Sequence, residues 1–217
     1  MENFGYIRFR DVYLGGSSAT VGKKEAAGPL GDWFDLVDTD EYFGMPTFEQ
    51  GESEMVRRNL AHLFEKTSLK DEDVGVLLGG DLLNQCVGTS FGVKERCIPF
   101  LGLYGACSTI AEGLLVGSSL VSGGFVPSAV AMASSHFCTA ERQYRFPPEY
   151  GSQRPPTAQY TVTGAGAFYL TREKSPLRVV DGVIGRIIDG GITDANNMGA
   201  AMAPAALDTL VRFFKET

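Results

Sequence analysis

The sequence has few of the residues that mark metal, redox and nucleic-acid-binding proteins. Its 217 residues include one tryptophan, two histidines and four cysteines. The spacing of those cysteines matches no zinc or redox motif, so we expect reduced thiols. The 19 lysines and arginines are outnumbered by 26 aspartates and glutamates, which gives a net charge of −7. Because nucleic-acid binding depends on clustered basic residues, this balance argues against a nucleic-acid partner.

Long apolar segments are lacking as well. No run reaches 18 apolar residues, and the start at Met1–Phe4 has neither the basic nor the apolar region of a signal peptide. We therefore expect no transmembrane segment and no signal peptide. The chain is 44% apolar and 21% charged, which is the composition of a globular protein with a core.

The hydrophobic pattern predicts strands that alternate with helices. Continuous apolar runs closed by glycine are typical of strands buried on both faces of a sheet. We predict strands at 4–14, 74–80, 98–104, 130–136, 160–170 and 178–188, helices at 48–66, 108–122 and 198–215, and loops at 15–31 and 137–159. This order predicts a layered α/β fold with a mixed, largely parallel sheet.

Two of the predicted helices and one loop carry further expectations. Helix 108–122 has a single charge, Glu112, and many small residues, which predicts burial on nearly all sides. The residues of helix 198–215 that we expect to face inward are Ala203, Leu207, Leu210, Val211 and Phe214. The loop 137–159 is long for a compact domain, which favours a functional role.

Cys107 lies where a predicted strand turns into the apolar helix, in the sequence Gly105–Thr109. A thiol at a helix N-terminus lies near the positive end of the helix dipole and near unpaired N–H groups. Both favour the thiolate, the form that acts as a nucleophile. We expect Cys107 to form the floor of a ligand pocket. The alternative is an inert buried cysteine.

Other polar residues follow predicted strands in the same way. Asp81, Asn84 and Gln85 come after the strand at 74–80, and His136 ends the strand at 130–136. Ligands of α/β proteins bind at the carboxyl ends of strands, which favours a binding role. The alternatives are that the first three cap the next helix and that His136 is a structural histidine.

Three arginines, Arg142, Arg145 and Arg154, lie in the predicted loop. Arginine binds carboxylates through paired hydrogen bonds, so these residues are candidates for an acidic ligand. A solvated surface, with the arginines paired to Glu141 and Glu149, explains them equally well.

The segments that contain most of these candidate residues resemble the stage V sporulation protein AD family, as do other segments along the chain. The matching segments are Gly80–Gln85, Ile98–Leu101, Gly105–Thr109, Ser134–His136, Thr139–Gln143, Glu149–Gly151, Thr161–Gly164, Gly191–Asp194 and Met202–Ala206. They occur in order along nearly the whole chain.

The resemblance implies a thiolase-like fold of two similar α/β halves, the first at 1–175 and the start of the second at 176–217. It implies a protein that binds dipicolinic acid, free or as its calcium chelate, for uptake into the forespore. Because Cys107 has no evident general base in this chain, we expect the protein to be non-catalytic, without cofactor or metal site. Germination is linked to the same system. The implied partners are other proteins of the sporulation operon at the inner spore membrane, where the protein is expected to be peripheral, and a second copy in a homodimer.

The resemblance and the strand-end positions together give an expected ligand site. Its residues are Asp81, Asn84, Gln85, Cys107, Ser108, His136, Arg142 and Thr163. We expect Tyr104 or Phe137 to pack on the ligand ring. Thiolases and ketoacyl synthases use the matching cysteine as an acyl nucleophile and take their catalytic histidine from the second half. The alternative function is therefore an acyl-thioester enzyme with Cys107 as its nucleophile.

Overall fold

The computed structural model describes residues 5–144, 160–194 and 197–217. The chain forms two compact units, one made of Asp11–Arg178 and the other of Met1–Arg10 with Val179–Thr217. The strands are β1 (Tyr6–Arg8), β2 (Tyr13–Gly22), β3 (Leu36–Asp38), β4 (Val76–Gly80), β5 (Phe100–Gly102), β6 (Ser128–Ser135), β7 (Gly164–Thr171) and β8 (Asp181–Val183). The helices are α1 (Lys23–Ala26), α2 (Phe48–Thr67), α3 (Val87–Val93), α4 (Thr109–Gly123), α5 (Phe137–Tyr144) and α6 (Met198–Glu216). The division into thiolase-like halves at 175 and 176 stays a prediction.

The larger unit is built on a six-stranded mixed sheet with the strand order β3-β2-β7-β6-β4-β5. Strands β6, β4 and β5 are parallel neighbours, and β2 is parallel to β3. Strand β7 is antiparallel to both β2 and β6, so it joins the two parallel groups. The predicted layered α/β fold with a mixed, largely parallel sheet is confirmed.

Helix α2 covers one face of this sheet. Its buried residues Met55, Leu60 and Leu63 belong to a core cluster that also contains Val130 and Met132 of β6. Residues three, four, seven or eight apart share one side of a helix, whereas alternate residues share one side of a strand. The two periodicities therefore bring these five side chains together.

Both ends of α2 have a local cause. The side chain of Thr47 accepts a hydrogen bond from the backbone N–H of Gln50 at 3.2 Å, which caps the helix start. Ser68 follows the last turn in the left-handed conformation, with φ of 57°. The predicted helix at 48–66 is confirmed to within one residue.

Helix α4 covers the opposite face, against the alternate residues of β6. A β-carbon added at Gly113 would lie 3.3 Å from that of Ala131, and one at Gly117 would lie 2.7 Å from Leu170. The glycines therefore let the helix backbone approach the sheet closely. The expectation of burial on nearly all sides is wrong for the outer face, where Leu115 is half-buried, because the sheet contacts α4 from one side.

The stretch Ala106–Gly123, which contains α4, is long and apolar enough to cross a membrane by length and composition. A core helix passes the same test, and α4 packs on the sheet through Gly113 and Gly117. Glu112 interrupts the apolar run within this stretch, which is why the sequence contains no uninterrupted apolar segment of that length.

Strand β2 corrects the predicted loop at 15–31. Its residues Tyr13–Gly22 form a strand between β3 and β7. The hydroxyl groups of Ser18 and Thr20 donate to the Oδ1 atom of Asn59 in α2, at 2.9 and 3.1 Å. The small, polar composition thus reflects the close approach of a helix to a strand, which sequence pattern alone reads as a loop.

Two further segments differ from prediction. The first eight residues of the predicted loop at 137–159 form helix α5, because the prolines that disfavour a helix all come later. The remainder, with Arg145 and Arg154, lies outside the described residues. The predicted strand at 4–14 is divided into β1 and the start of β2, since Asp11 adopts a positive φ of 52°.

The smaller unit pairs β1 with β8 in antiparallel fashion, and α6 packs on β8. The rings of Tyr6 and Phe213 lie 6.2 Å apart, and Arg186 forms an ion pair with Asp208 at 2.7 Å. The residues predicted to face inward are exposed: Ala203, Leu207, Leu210, Val211 and Phe214. A neighbouring face of the helix, with Asp208 and Phe213, makes the contacts instead.

The end of β4 generates a stability prediction. A β-carbon at Gly80 would overlap the carbonyl oxygen of Leu103, whereas one at Gly166 in β7 would meet nothing within 4 Å. We expect Gly80→Ala to destabilise the protein by about 3 kcal/mol, because backbone must move to relieve the overlap.

The free energy of unfolding of the matched variant Gly166→Ala is expected to lie within about 0.5 kcal/mol of the parent value. Urea unfolding followed by circular dichroism measures both. Equal midpoints for the two variants would contradict the close approach of the segments after β4 and β5.

Candidate functional site

The candidate site lies where β4 and β5 end side by side. The N–H of Leu103 donates to the carbonyl of Gly79 at 2.8 Å, and the thiol of Cys86 donates to the carbonyl of Leu103 at 3.1 Å. These bonds join the turn after β4 to the segment after β5. Parallel strands deliver both turns to the same edge of the sheet, as the sequence analysis expected for this region.

Asp81 holds the first of these turns and does not face a ligand. Its carboxylate accepts hydrogen bonds from the N–H groups of Leu83, at 2.8 Å, and Thr89, at 2.6 Å, and the residue is 1% exposed. Both oxygens are thus used by backbone donors. The structure favours the capping role, and we do not retain Asp81 as a ligand contact.

Asn84 and Gln85 lie exposed on the turn that Asp81 organises. Gln85 and Cys86 both adopt left-handed backbone conformations, with φ of 61° and 53°. Such conformations are unfavourable for residues with side chains and concentrate at functional sites. The hydroxyl of Tyr104 reaches the Oδ1 atom of Asn84 at 3.5 Å, so the turn contacts the segment that precedes Cys107.

Cys107 lies in a turn of 3₁₀ helix, Ala106–Ser108, immediately before α4. Its side chain is exposed, so the expectation that it forms the floor of a pocket is wrong. The side chain that faces the sheet at the helix start belongs to Thr109, which is 1% exposed. Ala106 adopts a left-handed φ of 47°, a further strained position next to the thiol.

The start of α4 continues from the 3₁₀ turn, and the N–H of Thr109 donates to the carbonyl of Ala106. The hydroxyl of Ser108 donates back to the carbonyl of Gly105 at 2.8 Å, and Ser108 makes no side-chain cap with the helix. The N–H groups of the first turn are therefore not capped by this side chain. A helix start with such groups and a positive dipole end attracts a carboxylate.

Tyr144 is a further candidate residue, which no motif in the sequence marks. It ends α5, and its hydroxyl lies 3.4 Å from that of Tyr104. Partial burial, followed by the hydrogen bond with Tyr104, raises the pKa of Tyr144 to about 12. Electrostatic interactions with Tyr104, Cys107 and Asp81 contribute less to the same shift. Tyr144 is therefore a neutral donor at neutral pH. We refer to Asn84, Tyr104, Cys107 and Tyr144 as the Cys107 cluster.

His136 has a structural role, which was the alternative interpretation. The residue is fully buried, and its Nδ1 atom accepts a hydrogen bond from the N–H of Cys138 at 3.2 Å. The Nε2 atom lies 2.7 Å from the carbonyl of Glu41 and, as the remaining N–H, donates to it. Both ring nitrogens are occupied by backbone, so His136 is not a ligand contact.

Arg142 and Thr163 are also engaged within the protein. Arg142 forms an ion pair with Glu49 of α2 at 2.6 Å. The hydroxyl of Thr163 accepts from the N–H of Phe137 at 3.0 Å and the residue is buried. These contacts fix α5 against α2 and the start of β7. We therefore assign both residues to the support of α5.

Glu52 is the functional candidate that the sequence analysis missed. It is a fully buried carboxyl group in α2, bonded to the hydroxyls of Ser134, at 3.1 Å, and Thr139, at 2.7 Å. Burial raises its pKa to about 7. The signal was present in the sequence, since Glu52 stands four residues before the buried Val56 and shares the apolar face of the helix.

A separate cavity of about 200 Å³ lies between α2 and the end of α3. It is lined by Arg57, Ala61, Asp71, Gly92, Glu95 and Arg96. None of the predicted site residues lines this cavity. Its arginines are paired with acidic neighbours, Arg96 with Asp71 at 2.8 Å and Arg57 with Glu54 at 2.7 Å.

The exposure of the thiols generates a prediction about their reactivity. In the native protein we expect iodoacetamide to modify Cys107 and Cys97 rapidly, because both side chains are exposed. Cys86 is expected to react at least about tenfold more slowly, since it is buried and burial raises its pKa.

Peptide mapping by mass spectrometry after timed quenching measures each rate, and Cys107→Ser identifies the Cys107 adduct. Modification of Cys107 that begins only after addition of denaturant would contradict its exposed position.

Comparison with known proteins identifies the family. A family model, stage V sporulation protein AD, matches residues 7–217. The stage V sporulation protein AD of Bacillus subtilis strain 168 is 40% identical over 205 residues, which cover 94% of this chain and 61% of that protein. The chain thus spans less than two thirds of the length of this curated relative.

Similar solved structures show the fold. The 3-oxoacyl-(acyl carrier protein) synthase III, FabH, of Xanthomonas oryzae has a TM-score of 0.63 at 13% identity, covering 95% of this chain and 73% of that chain. Cerulenin-bound OleA of Xanthomonas campestris has a TM-score of 0.63 at 13% identity, covering 95% of this chain and 71% of the OleA chain. The thiolase-like fold and the predicted family are confirmed: the chain belongs to the stage V sporulation protein AD family.

Proposed function

We propose that this protein binds dipicolinic acid, free or as its calcium chelate, for uptake into the forespore during sporulation, and that it does so without catalysis. The family assignment supports a role in sporulation. The observation that carries the ligand is the exposed cluster of Asn84, Tyr104, Cys107 and Tyr144 at the start of α4. It combines aromatic surface with donors for an anion.

The chemistry of the cluster suits a flat aromatic dicarboxylate. The rings of Tyr104 and Tyr144 offer faces on which a pyridine ring stacks, and their neutral hydroxyls donate hydrogen bonds. The N-terminal end of α4 offers the positive end of the helix dipole to one carboxylate. A binding site needs such a combination of apolar surface and a few placed polar groups.

The position of Glu112 leads us to expect that calcium strengthens ligand binding. This acidic residue lies in the first turn of α4, and its Oε2 atom is 2.6 Å from the position of a β-carbon at Gly105. A carboxylate there repels a free dicarboxylate anion. A calcium ion carried by the ligand offsets that repulsion, because calcium prefers carboxylate oxygens.

The proposed partners are a second copy of the chain and other proteins of the same sporulation operon, with a peripheral location at the inner spore membrane. Strand β5 supports a homodimer, since it forms an edge of the sheet and exposes Leu101. Phe91 in α3 is exposed as well. Exposed edge strands with apolar residues pair with another chain.

Isothermal calorimetry tests the ligand. We expect saturable binding of dipicolinate that becomes at least about tenfold tighter when calcium is present at equal concentration. Tyr104→Ala is expected to weaken binding by about tenfold or more, because it removes both a stacking face and a donor.

Phe125→Ala is the matched control, since Phe125 is exposed outside the cluster and should leave the affinity unchanged. Glu112→Gln should reduce the calcium effect. Absence of saturable heat from the parent protein, with and without calcium, would refute the proposed ligand.

The second candidate function is acyl transfer from a thioester to Cys107. The exposed thiol next to a helix start favours it, and the fold is shared with acyl-transferring enzymes. In that step the thiolate attacks the acyl carbonyl, the new thioester forms on Cys107 and the thiol of coenzyme A leaves. Incubation with acetyl-coenzyme A, followed by mass analysis of the intact protein, distinguishes acyl transfer from non-catalytic binding. An acetyl adduct that is absent from Cys107→Ser would favour this function over non-catalytic binding.

A further inference from the structure

Glu52 lies behind the candidate site and contacts the elements that carry its residues. Its two oxygens meet Ser134 at the end of β6 and Thr139 in α5, the helix that ends with Tyr144. On its other side, a β-carbon at Gly88 would lie 3.2 Å from the Glu52 carboxyl carbon and 3.3 Å from that of Asp81. The carboxyl groups of Glu52 and of Asp81, which organises the turn with Asn84, therefore both border Gly88.

The hydroxyl of Thr139 indicates which form of Glu52 fits this network. It lies 2.7 Å from the Oε2 atom of Glu52 and 3.0 Å from the carbonyl of His136. A hydroxyl has one proton and donates well to one of these acceptors. With a proton on Oε2, Glu52 donates to Thr139, Thr139 donates to His136, and Ser134 donates to the remaining Glu52 oxygen. Every member of the chain is then satisfied.

We propose that Glu52 is a positioning residue for the Cys107 cluster, and that its protonated carboxyl fixes α5 and Tyr144 through the chain Ser134–Glu52–Thr139–His136. This inference rests on the proposed function for its effect on ligand affinity. Loss of the proton reverses the Glu52–Thr139 hydrogen bond, because the Thr139 hydroxyl then donates to the Glu52 carboxylate and no longer to the carbonyl of His136. It also places a negative charge in a buried position next to Gly88. The start of α5, the helix that carries Tyr144, then loses its hydrogen bond from Thr139 to His136.

The pH at which Glu52 loses its proton depends on the groups around it. Burial, the largest influence, raises the pKa of Glu52 to about 7, and the charges of Asp81 and Glu49 raise it further. The hydrogen bonds from Thr139 and Ser134 act in the opposite direction. Arg142 of α5 is paired with Glu49, and His136 is bonded to backbone.

The direction in which pH changes the stability of the protein follows from the raised pKa of Glu52. The carboxyl has an ordinary pKa of 4.5 when exposed, so the folded protein keeps a proton that the unfolded chain has lost. The contribution of Glu52 to stability is therefore fully present below about pH 4.5 and falls as the pH rises through about 7. Binding that requires the protonated form weakens in the upper part of the same window.

The variant Glu52→Gln tests the role of the proton, because it keeps the size and shape of the side chain. A glutamine amide accepts from Ser134 and donates to Thr139 at every pH, which reproduces the protonated state. We expect dipicolinate affinity of the parent protein to fall about tenfold between about pH 6 and pH 8, as the protonated fraction drops from about nine tenths to one tenth. Glu52→Gln should keep the affinity measured at low pH across this range.

Glu54→Gln is the matched control, because Glu54 is on the same helix but pairs with Arg57 and Arg58 outside this network. It should retain the pH dependence of the parent protein. An affinity profile of Glu52→Gln that falls with pH as the parent profile does would overturn the proposal.

Carbon-13 NMR of glutamate-labelled protein tests the proton without any ligand. The carboxyl signal that disappears in Glu52→Gln should titrate with a midpoint near 7. A midpoint near 4.5, the ordinary value, would overturn the proposal even if dipicolinate binds. A midpoint near 7 in a protein that binds no dipicolinate would support the buried proton and refute the ligand instead.

Discussion

The candidate site depends on two buried carboxyl groups that meet at Gly88. Asp81 uses both oxygens to hold the turn after β4, and Glu52 joins α2 to the end of β6 and to α5. The absence of a side chain at residue 88 makes room for both groups. Buried polar groups are costly unless they are hydrogen-bonded, and the two carboxyls meet this requirement in different ways. Asp81 accepts from backbone N–H groups, whereas Glu52 is bonded to the hydroxyls of Ser134 and Thr139.

Much of the fold follows from hydrophobic periodicity, and the exceptions share a cause. Helix α2 and strands β4 and β6 were predicted because their side chains alternate or recur with the period of their element. Strand β2 was missed because Ser18 and Thr20 are small polar residues that bond to Asn59 across a helix–strand contact. The inward face of α6 was assigned wrongly because its polar residue Asp208 makes the contact through an ion pair. Tertiary contacts of this kind have no signature in local pattern.

The predicted ligand site stays a prediction, but the structure shows where its residues lie in the fold. The strand-end rule located Asn84 and Cys107 at one edge of the sheet, and the structure joins their segments through Tyr104. The rule does not distinguish residues that face solvent from those that hold the turn, and this is why Asp81 and His136 were included. Tyr144 was missed because it follows a segment that reads as loop. A site assembled by one helix end and two turns is defined by packing, which sequence periodicity does not describe.

The central claim is that a dicarboxylate binds against the exposed cluster at the start of α4. A crystal structure of the full chain grown with dipicolinate and calcium tests this most directly. We expect ligand density with one carboxylate at the N-terminal end of α4 and the ring against Tyr104 or Tyr144. Density in the cavity lined by Arg57 and Arg96, with the Cys107 cluster empty at saturating ligand, would contradict it.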